Sequence, residues 1–361
     1  VQIMRAIVEG LAAGSIHPLP LRTFPAAEAV AAFRTMQQAR HIGKIVILQP
    51  VEPPQSLVRP DAAYLIIGGL RGLGLLSARW LAGQGARHLA LMGRGEPGTA
   101  ALAEIQAMQA AGASVRVFSA DVSSAADVRR VLDEMRQSMP PLRGVIHSAG
   151  QLADAALVNQ SWQSFRTVLD PKAAGAALLH QLTSDLPLDF FVVYSSIAGV
   201  FGSRGQANHS AANAYLDALA HARRAQGLPA QSINWGVWSQ IGAAADRGIV
   251  DRSAGQGVDS IAPQEGLEIL GRVMNSSAIQ TIASPFNWPL YLQNNGAAVP
   301  PFLSGIAAEE AQSAKKPSTQ KAAVEKKPQA KPGSPGQVDI RQLLADAPVE
   351  RRRNVLLEFL Q

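Results

Sequence analysis

One stretch limits the architecture more than any other. "LIIGGLRGLGLLSARWL", residues 65–81, is an apolar run, a glycine turn and a helix-patterned segment. Gly68, Gly72 and Gly74 have the spacing G-x3-G-x-G. Glycine permits a tight turn and close approach of a pyrophosphate. The helix that follows offers free N–H groups and the positive end of its dipole. A glycine triplet alone is a weak signal and reads equally as a flexible turn. Here it opens a long alternation of strand-like and helix-like segments, "AYLIIGG", "HLALMG", "SVRVFSA", "RGVIHSAG", "DFFVVYSS", "AQSINWG" and "IQTIAS" among the strands. That alternation predicts an α/β fold, a Rossmann-type doubly wound parallel sheet, across residues 61–304.

Within that frame the dinucleotide side of the site is Gly68, Gly69, Leu70, Arg71, Gly72, Leu73 and Gly74. Arg71 adds a cationic contact to a pyrophosphate. At the end of the second strand stands "LMGRGEP". A site selective for NAD places an acid there, for the ribose 2′-hydroxyl. Arg94 suits a 2′-phosphate instead, which favours NADPH; a solvated surface arginine is the other reading. Asp121, with the amide of Val122, has the donor and acceptor for an adenine edge, although aspartate is also a common helix N-cap.

Four further segments flank or punctuate this unit. Residues 1–49 hold two helix patterns and the strand "GKIVIL", too little for a domain alone. Residues 50–60 are a proline-punctuated connector. Residues 305–337 read as a disordered Lys/Pro/Ala linker, with few large apolar residues. Residues 338–361, "VDIRQLLADAPVERRRNVLLEFLQ", have the pattern of an opening helix or two. Starting mid-pattern at Val1, the chain reads as a piece of a longer polypeptide.

Composition closes several routes. There is no cysteine, so disulfides, thiolate zinc sites and cysteine nucleophiles are excluded. No metal site is expected. No signal peptide and no run of 18 apolar residues is found, which predicts no membrane association and a cytoplasmic location. The net charge is +6. About half of that excess lies in 307–337, with six Lys against three Glu and no aromatic interleaved, so no nucleic-acid partner is expected.

"HSAG" (147–150), "DPKAAGAALLH" (170–180), "YSSIAGVFGSRGQANHSAANAYLDALA" (194–220) and "SINWGVW" (232–238) follow one another in order. Together they resemble the ketoreductase domain of modular polyketide synthases, within the short-chain dehydrogenase/reductase superfamily. Residues 1–49 resemble the tail of an enoylreductase domain, and residues 338–361 the start of an acyl carrier protein. The resemblance implies a carrier-tethered β-ketoacyl chain as substrate. The implied partners are other domains of one synthase: the enoylreductase and the structural half of the ketoreductase. It adds Ser148, Ala149 and Gly150 to the cofactor side.

The resemblance also implies a catalytic set: a tyrosine proton donor, a serine on the carbonyl, a lysine that lowers the tyrosine pKa and an asparagine that holds the relay. Ser196, Lys172 and Asn213 match. The tyrosine position holds His209, 13 residues after Ser196 and 37 after Lys172. Each match has a plainer reading: a surface lysine, a strand-end turn serine, a polar helix residue, a satisfied histidine. Tyr215 lies about 240° further round the helix, and Tyr194 reads as core, so neither replaces the missing phenol. Histidine is a competent acid near neutral pH, but Lys172 nearby depresses its pKa. Its ring nitrogen also falls roughly 2 Å short, where a misplacement of about 1 Å can cost roughly 10²-fold. Weak or absent ketoreduction is therefore expected, with NADPH still bound. The second function class is a structural pseudo-reductase supporting its neighbours.

Two positions bear on stereochemistry. Asp154 stands at the last place of the family's Leu-Asp-Asp motif, with Leu152 kept and Ala153 at the middle place, and a loop N-cap is the plainer role. Phe201 stands where the opposite class has tryptophan. The resemblance then implies a B-type hydroxyl. The glycine-spaced segment 239–260 reads either as a lid over the site or as a surface excursion.

Overall fold

A computed structural model describes residues 6, 8, 10–17, 20–38, 42–48, 57–242, 245, 247–294 and 300–315. The expected linker from residue 316 onward and the expected carrier-protein start at 338–361 lie outside the described residues, as does most of the 50–60 connector.

Two short strands come first, β1 (Leu21–Pro25) and β2 (Lys44–Leu48), paired in parallel across the helix Ala29–Gln37. The main sheet is built from β3 (Ala63–Ile67), β4 (His88–Gly93), β5 (Ser114–Ser119), β6 (Leu142–His147), β7 (Phe190–Ser196), β8 (Gln231–Trp235) and β11 (Gln280–Ala283). The pair β9 (Val237–Trp238) and β10 (Ser260–Ile261) stands apart. The seven strands are parallel, in the order β11-β8-β7-β6-β3-β4-β5. The chain starts in the middle at β3, runs outward to β5, then returns to β6 on the other side of β3. In such a sheet the ligand crevice lies outside the carboxyl ends of the strands where the order reverses. Here that point is between β3 and β6.

Why this sheet forms is visible in β3. All five residues of "AYLII" are buried. Tyr64 and Ile66 enter the core layer on one face with Leu89, Leu91, Ile146 and Leu81. Ala63, Leu65 and Ile67 enter the opposite layer with Ala90, Met92, Val145 and Leu216. Side chains alternate across a strand, so a strand covered on both faces must be apolar throughout. Burying each of Leu65, Ile66 and Ile67 contributes roughly 1.5–3 kcal/mol.

Helices set the walls of the crevice. Gly72–Gly83 follows the glycine turn. Trp162–Leu169 is opened by a capping box at Ser161 and Ser164. It runs through a widened π turn, Asp170–Ala174, into Gly175–Thr183. The 19-residue helix Ala207–Ala225 buries Ala212, Leu216, Leu219, Ala220 and Arg223 along one stripe.

Two features depart from the sequence reading. β1 lies where no strand is expected, because only Phe24 of "LRTFP" is buried and the pattern shows no alternation. Residues 305–315, expected to open a disordered linker, belong to a helix, Ser304–Lys315. Its "IAAEEA" core is rich in good helix formers, and no proline occurs between Ser304 and Pro317. Among the described residues no helix is long and apolar enough to cross a membrane, and no group of three or more His, Asp or Glu side chains could hold a metal ion.

Candidate active site

The glycine turn after β3 is close-packed where its spacing matters. Gly68 has φ +79°, and a Cβ on it would meet the Ala149 amide nitrogen at 2.9 Å. A Cβ on Gly74 would collide with the Gly68 carbonyl oxygen and approach Ser148 Oγ to 2.5 Å. Ser148 ties the ends of β3 and β6 together: its Oγ and its amide both donate to the Ile67 carbonyl oxygen, at 2.8 and 3.0 Å. Arg71 is exposed in extended backbone at the N-cap of Gly72–Gly83. The whole set from Gly68 to Gly74 borders one open cleft except Gly69. A Cβ on Gly69 would meet the Ile66 carbonyl oxygen at 2.8 Å and the Leu91 side chain, so it faces the sheet and serves packing.

Arg94, Asp121, Val122, Ala149 and Gly150 border the same cleft. The Gln151 amide, oriented so that both its ends are satisfied, accepts from the Arg94 guanidinium and donates to the Thr167 carbonyl oxygen at 3.2 Å. Asp121 Oδ1 accepts from the Ser123 amide (2.9 Å) and hydroxyl (2.6 Å). Burial pushes its pKa up, but those two bonds and the Arg94 charge hold it below the usual carboxylate range. The helix cap falls to Ser124, which accepts from the Asp127 amide at 3.2 Å. The Val122 side chain is buried against Gly175.

Lys172, Ser196 and His209 border the same cleft. The π turn aims Lys172 inward, where it is 6% exposed. Its Nζ donates to the Tyr194 carbonyl oxygen at 2.5 Å. His147 Nε2 donates to the Lys172 carbonyl oxygen at 3.0 Å, which defines the histidine tautomer. Burial pushes Lys172 down to about 8, against the opposing pull of Asp217. His147 is pushed down to about 4, again by burial first.

His209 is held by its backbone. Its amide donates to Asn208 Oδ1 at 2.7 Å. Asn208, wholly buried, donates in turn to the carbonyl oxygens of Ala153 (2.8 Å) and Ser164 (3.3 Å), so the helix start is fastened to two other segments. Burial, then the charges of Lys172 and Arg247, push His209 down to about 3. The ring is therefore neutral across the physiological range. Its Nδ1 is buried without a hydrogen-bond partner.

Ser196 Oγ accepts from the Ala198 amide at 3.2 Å, closing the turn after β7. Asn213 does not border the cleft. Its Nδ2 donates to the His209 carbonyl oxygen at 2.8 Å, and its Oδ1 is buried without a partner. An asparagine one turn along a helix reaches the carbonyl of residue i−4 more readily than it reaches the cleft. Tyr194 is buried, its hydroxyl 2.7 Å from Ser77 Oγ, and Tyr215 is 41% exposed.

Asp154 and Phe201 line the wall. Asp154 accepts from Gln206 Nε2 (3.2 Å) and pairs with Arg247 Nη1 (2.6 Å). It is thus bound to the 239–260 segment and caps no helix. Phe201 is the hub of an aromatic group, its ring 5.2 Å from Phe286, 5.9 Å from Tyr291 and 5.8 Å from Phe302. Neither this group nor Arg247 was legible, because their partners are far apart in sequence. The buried acid Asp217 was also missed. Its position, two turns after His209 on the same face, is the signal that could have found it.

A parallel doubly wound sheet, a glycine turn at its switch point and a lysine–serine end define a reductase of the short-chain dehydrogenase type. Residues 62–240 match the KR domain family and belong to it; residues 1–47 match a zinc-binding dehydrogenase family, the enoylreductase-like piece. The chain is thus a ketoreductase region of the modular polyketide synthase family. It is 38% identical over 301 residues to the Spectinabilin polyketide synthase system protein NorB of Streptomyces orinoci, covering 81% of this chain and 14% of that one. It is 40% identical over 274 residues to a Mycocerosic acid synthase-like polyketide synthase of Mycobacterium tuberculosis, covering 73% and 12%. A solved A1-type ketoreductase superposes with a TM-score of 0.68 at 33% identity, covering 73% of this chain and 56% of that one. The chain thus spans a small part of the curated relatives. Domains of this family use a nicotinamide cofactor.

Proposed function

We propose that this region binds NADPH and is an impaired 3-ketoacyl-thioester reductase, acting on a β-ketoacyl chain tethered to an acyl carrier protein. The observation that carries the reading is His209, a neutral, half-buried imidazole at the proton-donor position in the cleft that Lys172 and Ser196 also border.

The cleft fits the cofactor. Gly68 and Gly74 let the turn pack closely on Ser148 and Ala149 at the edge of the cleft, and Arg71 and Arg94 supply cations for the pyrophosphate and a 2′-phosphate. When bound, NADPH supplies the hydride. Ser196 offers its hydroxyl to the ketone oxygen. Lys172 presents a positive charge that stabilises a developing alkoxide. A proton must still reach that oxygen. A neutral imidazole pushed down to about 3 gives one up poorly, since the useful acid has a pKa near the working pH. Loss of general-acid catalysis costs about 10²–10⁴-fold.

Asp154, held beside the cleft by Arg247 and Gln206, supports a B-type hydroxyl. The rest of the synthase, its carrier protein and the enoylreductase are the expected partners. A second reading, a reductase-like domain that only supports its neighbours, is favoured by the same neutral imidazole.

The test is a fluorescence titration with NADPH and NADH, followed by mixing with a short 3-ketoacyl thioester in a single turnover. The reading expects NADPH to bind more tightly than NADH, and slow oxidation of NADPH as the ketone is reduced to a B-type alcohol. Binding without any oxidation supports the supporting role. Failure to bind either dinucleotide overturns the reductase reading and leaves an empty supporting domain.

A further inference from the structure

One amide side chain joins the wall that holds Asp154 to the helix that carries His209. Asn208 is wholly buried. Its Oδ1 accepts from the His209 amide at 2.7 Å, and its Nδ2 donates to the carbonyl oxygens of Ala153 at 2.8 Å and Ser164 at 3.3 Å. Both hydrogens of the amide nitrogen are thus committed, each to a different segment.

The bond to His209 meets a need of the helix itself. Amides in a first turn have no carbonyl of their own helix to reach. In Ala207–Ala225 the Ser210 amide reaches back to the Gln206 carbonyl oxygen at 2.8 Å, and the His209 amide takes the Asn208 side chain. The bonds to Ala153 and Ser164 meet no such need. They belong to a closed ring: Ser164 Oγ donates to Gln160 Oε1 at 3.0 Å, and Gln160 Nε2 lies 3.2 Å from the Ala155 carbonyl oxygen and 3.4 Å from that of Ala153. The Ala155 amide also donates to the Gly205 carbonyl oxygen at 2.9 Å. Residues 153–155 are therefore held to the start of the long helix on both sides of Asp154. Asp154 and His209 both border the cleft. An apolar residue at 208 would leave a buried amide and a buried carbonyl to find other partners.

We propose that Asn208 is a positioning residue for the reduction: it sets the place of residue 209 against the Asp154 wall, and so fixes which face of the ketone is reduced. This rests on the reading of the cleft as a reductase site. A ketone with two unlike arms has two faces, and the walls that its oxygen and its arms touch decide which one is offered. Position 209 is one of those walls and Asp154 is another. Asn208 touches neither the cleft nor a substrate, so it acts only through the main chain on each side.

The experiment has two arms. The first needs no turnover: hydrogen exchange of the His209 amide, read at single-residue resolution in the full chain. The amide is expected to exchange slower than an open amide by roughly 10²-fold or more, and to reach the open rate in Asn208→Ala. Open-rate exchange in the native chain overturns the proposal. The second arm is the ratio of the two alcohols formed from a short 3-ketoacyl thioester and NADPH, by His209→Tyr and by His209→Tyr with Asn208→Ala. The bond at 209 comes from the backbone, so the tyrosine variant keeps it. A shift of about 1 Å costs roughly 10²-fold in rate, so the ratio is expected to fall by about tenfold for a fraction of that shift, with NADPH affinity unchanged. The ratio is a property of each turnover and not of how much chain is folded. A merely structural Asn208 would leave it unchanged, and an unchanged ratio overturns the proposal. Should Asn208→Ala fail to fold, Asn208→Asp keeps the volume and the acceptor for the residue 209 amide and loses both donors; an unchanged ratio there overturns the proposal equally. No turnover by any of these chains, with a slow His209 amide, overturns the reductase reading and still supports the tie that Asn208 makes.

Discussion

Asn213 Nδ2 donates to the His209 carbonyl oxygen at 2.8 Å, so the two residues are joined through the helix backbone and not through their functional groups. The amide that the family resemblance assigns to a relay is committed to the helix. Its oxygen is buried and without a partner. The consequence is that Asn213 contributes to the helix start more than to the cleft. Asn213→Ala is expected to lower stability by about 1 kcal/mol and to leave the NADPH dissociation constant unchanged. Thermal melting and fluorescence titration check the two halves.

Gly74 is expected to be intolerant of any side chain. A Cβ there collides with the Gly68 carbonyl oxygen and crowds Ser148 Oγ, which already holds Ile67. Overpacking of this kind costs roughly 1–3 kcal/mol. Gly74→Ala should melt earlier and lose NADPH binding together. Gly72→Ala meets nothing within 4 Å and carries only the strain of its φ of +53°, so it should lose less of both.

Arg94 is expected to choose between the two dinucleotides. Charge-assisted hydrogen bonds contribute about 1.5–3 kcal/mol. Arg94→Ala should therefore weaken NADPH binding by roughly 10–100-fold and leave NADH binding nearly unchanged. Equal weakening of both would assign Arg94 to the surface or to Gln151 alone.

Buried His147 and half-buried His209 give the fold an acid-sensitive side. Burial lowers the folded-state pKa of His147 to about 4 and, with the Lys172 and Arg247 charges, that of His209 to about 3. The unfolded chain, with ordinary histidines near 6.5, binds more protons below that pH. Stability is therefore full above about 6.5 and falls as the pH drops toward 4, with a slope of up to about 1.4 kcal/mol per pH unit for each ring. Urea unfolding at a series of pH values should show this slope in the native chain and a shallower one in His209→Tyr.

The sheet was legible because β3 is apolar at every position, as a strand covered on both faces must be. The glycine turn was legible because its spacing has a steric cause, now seen at Gly68 and Gly74. Gly69 was grouped with them by proximity, although its neighbour is Leu91 and not the cleft. β1 escaped notice because a five-residue strand with one buried side chain has no period to read. The helix over Ser304–Lys315 was obscured by the lysine- and proline-rich stretch that follows it. Asp217, Asn234 and Arg247 meet their partners only through the fold. Their side chains look like ordinary polar residues until the sheet brings β7, β8 and the long helix together.

The central claim is that the imidazole of His209 is the defect in a cleft that keeps its lysine and serine. The direct measurement is single-turnover oxidation of NADPH with a short 3-ketoacyl thioester by the native chain and by His209→Tyr, with NADPH affinity measured on both. The account predicts equal affinity and a variant faster by about 10²–10⁴-fold. A native rate within about tenfold of the variant's would contradict it and make His209 a working acid.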